Sequence, residues 1–127
     1  MQRSFSKAFS LFLLFNACAS SNSVQRPSEL PNFSSPEKTF ETLLYAISKD
    51  DVSLTCECFA PREGLDCDKF RTDLPELKRA LHGSRFIKRD AELTDGKLYF
   101  WYTSVKSSED RGRMVPMPDG TWRIWKL

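Results

Sequence analysis

The chain has 127 residues, 40% of them hydrophobic, 13% aromatic and 28% charged, with a formal net charge of +2 at pH 7. That length supports one small domain around a single core, not two. Nineteen Lys and Arg against 17 Asp and Glu exclude the basic surplus by which proteins capture nucleic acid electrostatically.

Residues 1–7 carry Arg3 and Lys7 and no acid, and residues 8–15 form the apolar block AFSLFLLF. Such a block is too short to span a bilayer as a mature helix. It is followed by Asn16-Ala17-Cys18 and then the polar run 19–23. A basic start, a short apolar stretch and a small residue before a cut are the parts of a secretory signal peptide. With Cys18 directly after Ala17, the segment resembles the lipobox of bacterial lipoproteins, although Phe15 and the bulkier Asn16 depart from the usual pattern. That resemblance implies a signal peptide over 1–17 and lipidation of Cys18 as the new N-terminus. It also implies a place in the bacterial cell envelope, with the uncharged Ala19 favouring the outer over the inner membrane. Loss of the leader removes two cations and no acid, so the mature chain is neutral and the excess charge belongs to the export signal.

Residues 19–34 are rich in Ser, Asn and Pro and lack apolar periodicity, so 18–34 is expected to be a flexible tether. A single domain is expected over 35–127. Its first helix opens with Ser35 as N-cap, Pro36 in the first turn and Glu37 at the positive end of the dipole. Phe40, Leu43, Leu44 and Ile47 then repeat on one helical face. Asp50-Asp51 ends this helix and caps a second, expected over 52–59 with Val52, Cys56 and Phe59 on one side. A third is expected over 74–82, capped by Asp73, with Pro75 in its first turn and Gly83 as its stop.

From residue 84 the pattern is that of strands. Residues 85–93 alternate loosely, Asp95-Gly96 is a hairpin turn, and 97–105 (KLYFWYTSV) is the most strand-like run in the chain. Residues 111–117 are expected as an edge strand, because Pro116 cannot donate to a ladder, and 121–127 as the closing strand. Helices followed by a strand meander predict an α+β domain, with N-terminal helices packed on a curved antiparallel sheet of about four strands.

The capped helix SPEKTFETLLYAISKDD, the second helix ending in Phe59-Ala60-Pro61 and the closing run Asp119-Gly120-Thr121-Trp122-Arg123-Ile124 resemble the NTF2-like (SnoaL-like, cystatin-like) superfamily over residues 35–127. The resemblance implies a cone with an apolar pocket. NTF2-like enzymes place a carboxylate base and a Tyr or protonated acid in that cone. Asp90, Glu92, Tyr99 and Tyr102 are the residues of those types here, and an isomerase or dehydratase is the alternative activity.

The strand half also concentrates aromatics. Leu98, Phe100 and Tyr102 share one strand face and Tyr99, Trp101, Thr103 and Val105 the other, while Trp122 and Ile124 oppose Arg123, Trp125 and Leu127. One face must meet the helices and the second is spare, which makes Tyr99, Trp101, Tyr102, Trp122 and Trp125 candidates for a pocket lining or partner surface, unless helix and loop bury both faces. Arg85, Lys88 and Arg89 are answered by Asp90 and Glu92 and are read as a solvated strand face.

No catalytic residue is assigned. His82 is the only histidine, and no nucleophile-elbow, zinc-protease, P-loop or dinucleotide motif occurs. No cofactor is expected. A zinc site of three thiolates and His82 is the one metal alternative, and its spacing matches no zinc ribbon or finger. With Cys18 lipidated, Cys56, Cys58 and Cys67 make one disulfide and leave one thiol over. Residues two apart on a helix point in nearly opposite directions, so Cys67 pairs with either Cys56 or Cys58. Placing Cys56 on the core side favours Cys58–Cys67. The expected protein is a non-catalytic, membrane-anchored envelope lipoprotein that binds a small apolar ligand or an envelope protein, and no nucleic acid.

Overall fold

The structure is a computed structural model that describes residues 29–127. The proposed signal peptide, Cys18 and residues 19–28 of the tether lie outside the described residues. Three α-helices, α1 (Pro36–Ser48), α2 (Val52–Glu57) and α3 (Cys67–Leu81), precede four strands, β1 (Phe86–Arg89), β2 (Leu98–Tyr102), β3 (Gly112–Pro116) and β4 (Trp122–Lys126). The strands form one antiparallel sheet in the order β1-β2-β3-β4. This is the expected α+β meander.

The caps of α1 and α2 sit where the residue types require them. Ser35 Oγ accepts from the Lys38 N–H at 3.1 Å, and Asp51 Oδ1 accepts from the Leu54 N–H at 3.0 Å. Asp50 takes a left-handed φ of 55° between the two helices, a conformation that Asp tolerates better than most side chains. α1 buries Phe40, Leu43, Ala46 and Ile47 completely or nearly so. It also buries Thr39 and Thr42, whose hydroxyls donate to Trp122 O at 3.0 Å and Lys38 O at 2.9 Å. Thr42 Oγ1 further accepts from the Asn32 N–H at 2.9 Å. Residues 31–34 of the expected tether are therefore pinned to α1, and Pro31–Leu127 forms one compact unit.

α2 ends at Glu57 rather than at Phe59, because Cys58–Ala60 leaves the helix to run beside β4. Ile124 N–H donates to Cys58 O and Ala60 N–H to Ile124 O, both at 2.8 Å, in a parallel bridge centred on Phe59 and Ile124. Trp122 N–H donates to Phe33 O at 2.9 Å. The free edge of β4 is thus closed by two short backbone segments, which removes a template for unwanted strand pairing.

α3 departs most from expectation. It starts at Cys67, seven residues before the expected start, capped by Asp66, whose Oδ1 accepts from the Asp68 N–H at 3.0 Å. Asp73, expected as the cap, lies inside the helix and pairs with Lys69 at 3.8 Å, and Pro75 is interior. The first two turns hold only Phe70 as a large apolar residue, packed on Phe59 with ring centroids 4.9 Å apart. Two turns docked by one ring and a disulfide carry no amphipathic stripe to read; the stripe starts only at Leu74 and continues through Leu77 to Leu81.

β3 is not an edge strand. It pairs with both β2 and β4, yet its ladder with β2 ends at Leu98 and Met114. Pro116 lies beyond the end of β2, where no donor is required. The Asp95-Gly96 hairpin forms as expected: both residues have positive φ, and Thr94 and Lys97 exchange backbone hydrogen bonds at 2.8 and 3.0 Å.

Helices and sheet meet across Phe40, Leu43, Ile47, Leu74, Leu81, Phe100, Tyr102, Met114 and Ile124. Phe40 touches Phe86, Phe100 and Tyr102, with ring centroids 5.4–6.0 Å apart. Gly112 lies directly opposite the Phe100 ring, where any Cβ would collide with it. The inner face of the sheet is packed solid at this layer, and the clefts identified in the described residues open at the periphery of the domain.

Candidate binding face

Strand alternation sorts the five aromatic candidates into two groups. Tyr102 is 8% exposed and belongs to the core with Leu98 and Phe100, where burial pushes its phenol above the ordinary value. Trp122 is half-buried and packs against the same core. Tyr99, Trp101 and Trp125 alternate with the inward residues of β2 and β4 and occupy the opposite, outer face of the sheet. Of the five candidates for a pocket lining or partner surface, two therefore help to fill the core and three face away from it.

Each of the three outer rings is covered by cations. Lys88 on β1 pairs across to Trp101 on β2, and its ammonium lies 5.3 Å from the indole centroid. Arg113 on β3 is opposite Tyr99, 5.0 Å from the ring centroid, and Arg111 approaches the same ring to 4.4 Å. Trp125 lies between Arg62, at 4.1 Å, and Lys97, at 4.6 Å. Arg62 gets there because the Cys58–Ala60 segment runs along β4 and delivers the following loop to it. A cation over a ring face is worth about 0.5–1 kcal/mol at exposed sites, and a stacked guanidinium keeps its N–H edge free for hydrogen bonds. Arg111 uses part of that capacity on Ser108 O at 2.7 Å and pairs with Asp90 at 3.6 Å. Arg113 Nε is buried without a partner.

The charges read from sequence as one solvated strand face have separate roles. Arg89 reaches Glu37 on α1 at 2.9 Å, Asp90 serves Arg111, and Lys88 covers Trp101. The spacing of Lys and Arg along the chain held no signal for this grouping, because strand register creates it. Asp90, Glu92, Tyr99 and Tyr102 are not assembled into one site. The two phenols lie on opposite faces of the sheet, Asp90 is engaged by Arg111, and Glu92 is exposed in the hairpin.

The disulfide joins Cys56 to Cys67, with Cα atoms 5.5 Å apart, and not Cys58 to Cys67. Cys58, at the end of α2, is fully buried among core residues, and that burial pushes its thiol up to about 12. Cys56 is buried at 6% exposure, as its helical position implies, but the pairing inferred from this failed because the six-residue α2 ends there and the chain turns Cys58 into the core beside β4. With two thiols in a disulfide, the zinc arrangement is not available. Among the described residues, no group of three or more His, Cys, Asp or Glu is placed to hold a metal. His82 lies just beyond α3, exposed.

The disulfide forms one wall of a cleft of about 480 Å³, lined also by Phe59, Pro61, Leu65, Glu57 and Arg123. Arg123 is fixed there: its Nη1 donates to Thr121 Oγ1 and to Trp122 O at 3.1 Å, and its guanidinium lies 3.7 Å from the Phe33 ring centroid. No helix of the described residues is long and apolar enough to cross a membrane. No family model, no curated protein and no solved structure matches this chain.

Proposed function

We propose that this chain is a lipid-anchored protein of the bacterial envelope whose domain binds a partner, without catalysis, through the outer face of its sheet. The observation that carries the binding role is the set of three outward rings, Tyr99, Trp101 and Trp125, each held under one or two cations. A sheet that needed only to be solvated on that side would present short polar side chains. Tyr, Trp and Arg are instead the residue types enriched at recognition surfaces. The anchoring role is supported by residues 1–18 alone: the basic start, the apolar block and Ala17-Cys18. The Ser/Asn/Pro-rich stretch before Pro31 has the composition of a spacer between a membrane and a domain.

An intact-mass spectrum of the envelope-purified protein tests the anchor. Residues 18–127 plus a diacyl- or triacylglyceryl group is the expected mass, and Cys18→Ala is expected to release the protein from the membrane fraction. An unlipidated mass with unchanged location ends this part of the reading. The face is tested with a photoreactive side chain at position 101 in the intact envelope, compared with one at Lys69 on α3. Discrete adducts from 101 that are absent from 69 are expected. Equal or absent labelling at both positions would falsify the binding role.

A further inference from the structure

We propose that the outer sheet face recognises an acidic, extended polypeptide segment, whose carboxylates are taken up by Arg62, Lys88, Lys97 and Arg113. This rests on the reading of that face as the binding surface and names the chemistry of its partner. Charge is the first argument. Five cations cover the three rings, and among the described residues Asp90, bound to Arg111, is the only carboxylate paired with any of them. Among the described residues Arg62, Lys88, Lys97 and Arg113 make no ion pair, whereas Arg89 and Lys78 elsewhere are matched to acids at 2.9 Å.

Geometry is the second argument. Contact with the rings, at 4.1–5.3 Å, restrains these cations over the sheet, so less side-chain freedom is lost when an anion binds. A guanidinium in this posture presents two parallel N–H donors, the geometry that matches a carboxylate. Trp101 on β2 and Trp125 on β4 are two strand spacings apart, about 10 Å across the sheet, and are also offset by two to three residues along the strands, a diagonal that an extended chain covers in about four residues.

A membrane surface is the competing occupant, and the same features disfavour it. Interfacial insertion uses uncovered aromatic and aliphatic tips, but the outer rings are covered by cations and none is strongly exposed. Among the described residues, the strongly exposed large apolar ones are Ile87 and Leu93, at 52% and 45%, on β1 and in the hairpin before β2 rather than among the rings.

The test uses the full-length protein in neutral detergent micelles and reads tryptophan fluorescence, to which Trp101 and Trp125 contribute. The probes are a short poly-L-glutamate, poly-L-lysine as the charge control, and micelles doped with phosphatidylglycerol. Poly-L-glutamate is expected to give a saturable change that weakens about tenfold when salt rises from low to near molar. Lys88→Glu with Arg113→Glu is expected to abolish it, and the neutral pair Lys88→Gln with Arg113→Gln to weaken it, with thermal melts confirming that both variants fold. Lys69→Glu on α3 is expected to leave it unchanged. No response to poly-L-glutamate, an equal loss in Lys69→Glu, or a response confined to the phosphatidylglycerol micelles each overturns the proposal. Adducts from position 101 without any poly-L-glutamate response would leave the face a binding surface and sink only the acidic partner.

Discussion

The two faces of the sheet carry aromatic residues in similar number and use them in opposite ways. On the inner face Phe100 and Tyr102 meet Phe40 and Phe86, and the rings pack edge to face, tilted or stacked against one another. On the outer face Tyr99, Trp101 and Trp125 do not stack on one another. Each is covered by Lys or Arg drawn from a neighbouring strand or loop. Apolar content therefore did not distinguish core from surface in this sheet. What distinguishes them is the partner each ring receives, since burial against carbon removes water while a cation over a ring keeps its own head hydrated.

The comparison can be broken most severely on the inner side. Phe100→Ala empties the centre of the ring cluster and is expected to cost about 3–5 kcal/mol in a denaturant titration, enough to unfold a marginal domain. A loss under about 1 kcal/mol would mean that this layer is not the core. Next comes the disulfide, which ties α2 to the exposed start of α3. Cys56→Ser with Cys67→Ser is expected to lower stability by about 2–3 kcal/mol through the loop it closes, seen as a lower Tm. Cys58→Ala should leave that bridge intact, and thiol labelling before and after unfolding checks this.

Cys58 also sharpens the contrast through pH. Its thiol is raised from 9.0 to about 12 in the folded state by burial. The folded protein therefore holds the proton while the unfolded chain has already lost it. The stability this represents is complete below pH 9 and is lost as pH rises from there toward 12. Stability is expected to fall over that range by up to about 1.4 kcal/mol per pH unit from this one group. Tyr102 acts in the same direction, so the measured quantity is the slope that disappears in Cys58→Ala.

The smallest effect is expected on the outer face. A double-mutant cycle between Lys88→Ala and Trp101→Ala should return a coupling of about 0.5–1 kcal/mol in stability. A coupling several times larger would make the outer face a second core rather than a binding surface.

Local chemistry made much of the fold legible before the structure. Ser35 and Asp51 are caps by residue type, Phe40, Leu43 and Ile47 fall on one helical face, and Asp95-Gly96 forms its turn through two positive φ angles. Elements held by contacts distant in sequence were misread. The first turns of α3 depend on Cys56 and Phe59, and the interior position of β3 depends on where β2 stops. The true disulfide partner depended on Cys58 facing the core beside β4. In the candidate site, strand alternation made legible that Tyr99 and Trp101 share a face apart from Tyr102, and Trp125 one apart from Trp122, but not which face is outward, and the covering cations come from residues up to 63 positions away from the ring they cover.

By itself the sequence determined the order of elements, the period-two division of each strand, and the presence of more large rings than one small core employs. Those follow from interactions within a few residues, where propensity and side-chain spacing dominate. Only the tertiary structure decided which of those rings met carbon and which met charge. That choice depends on strand register and on where loops are delivered, and a one-residue slip in register would exchange the two faces of a strand.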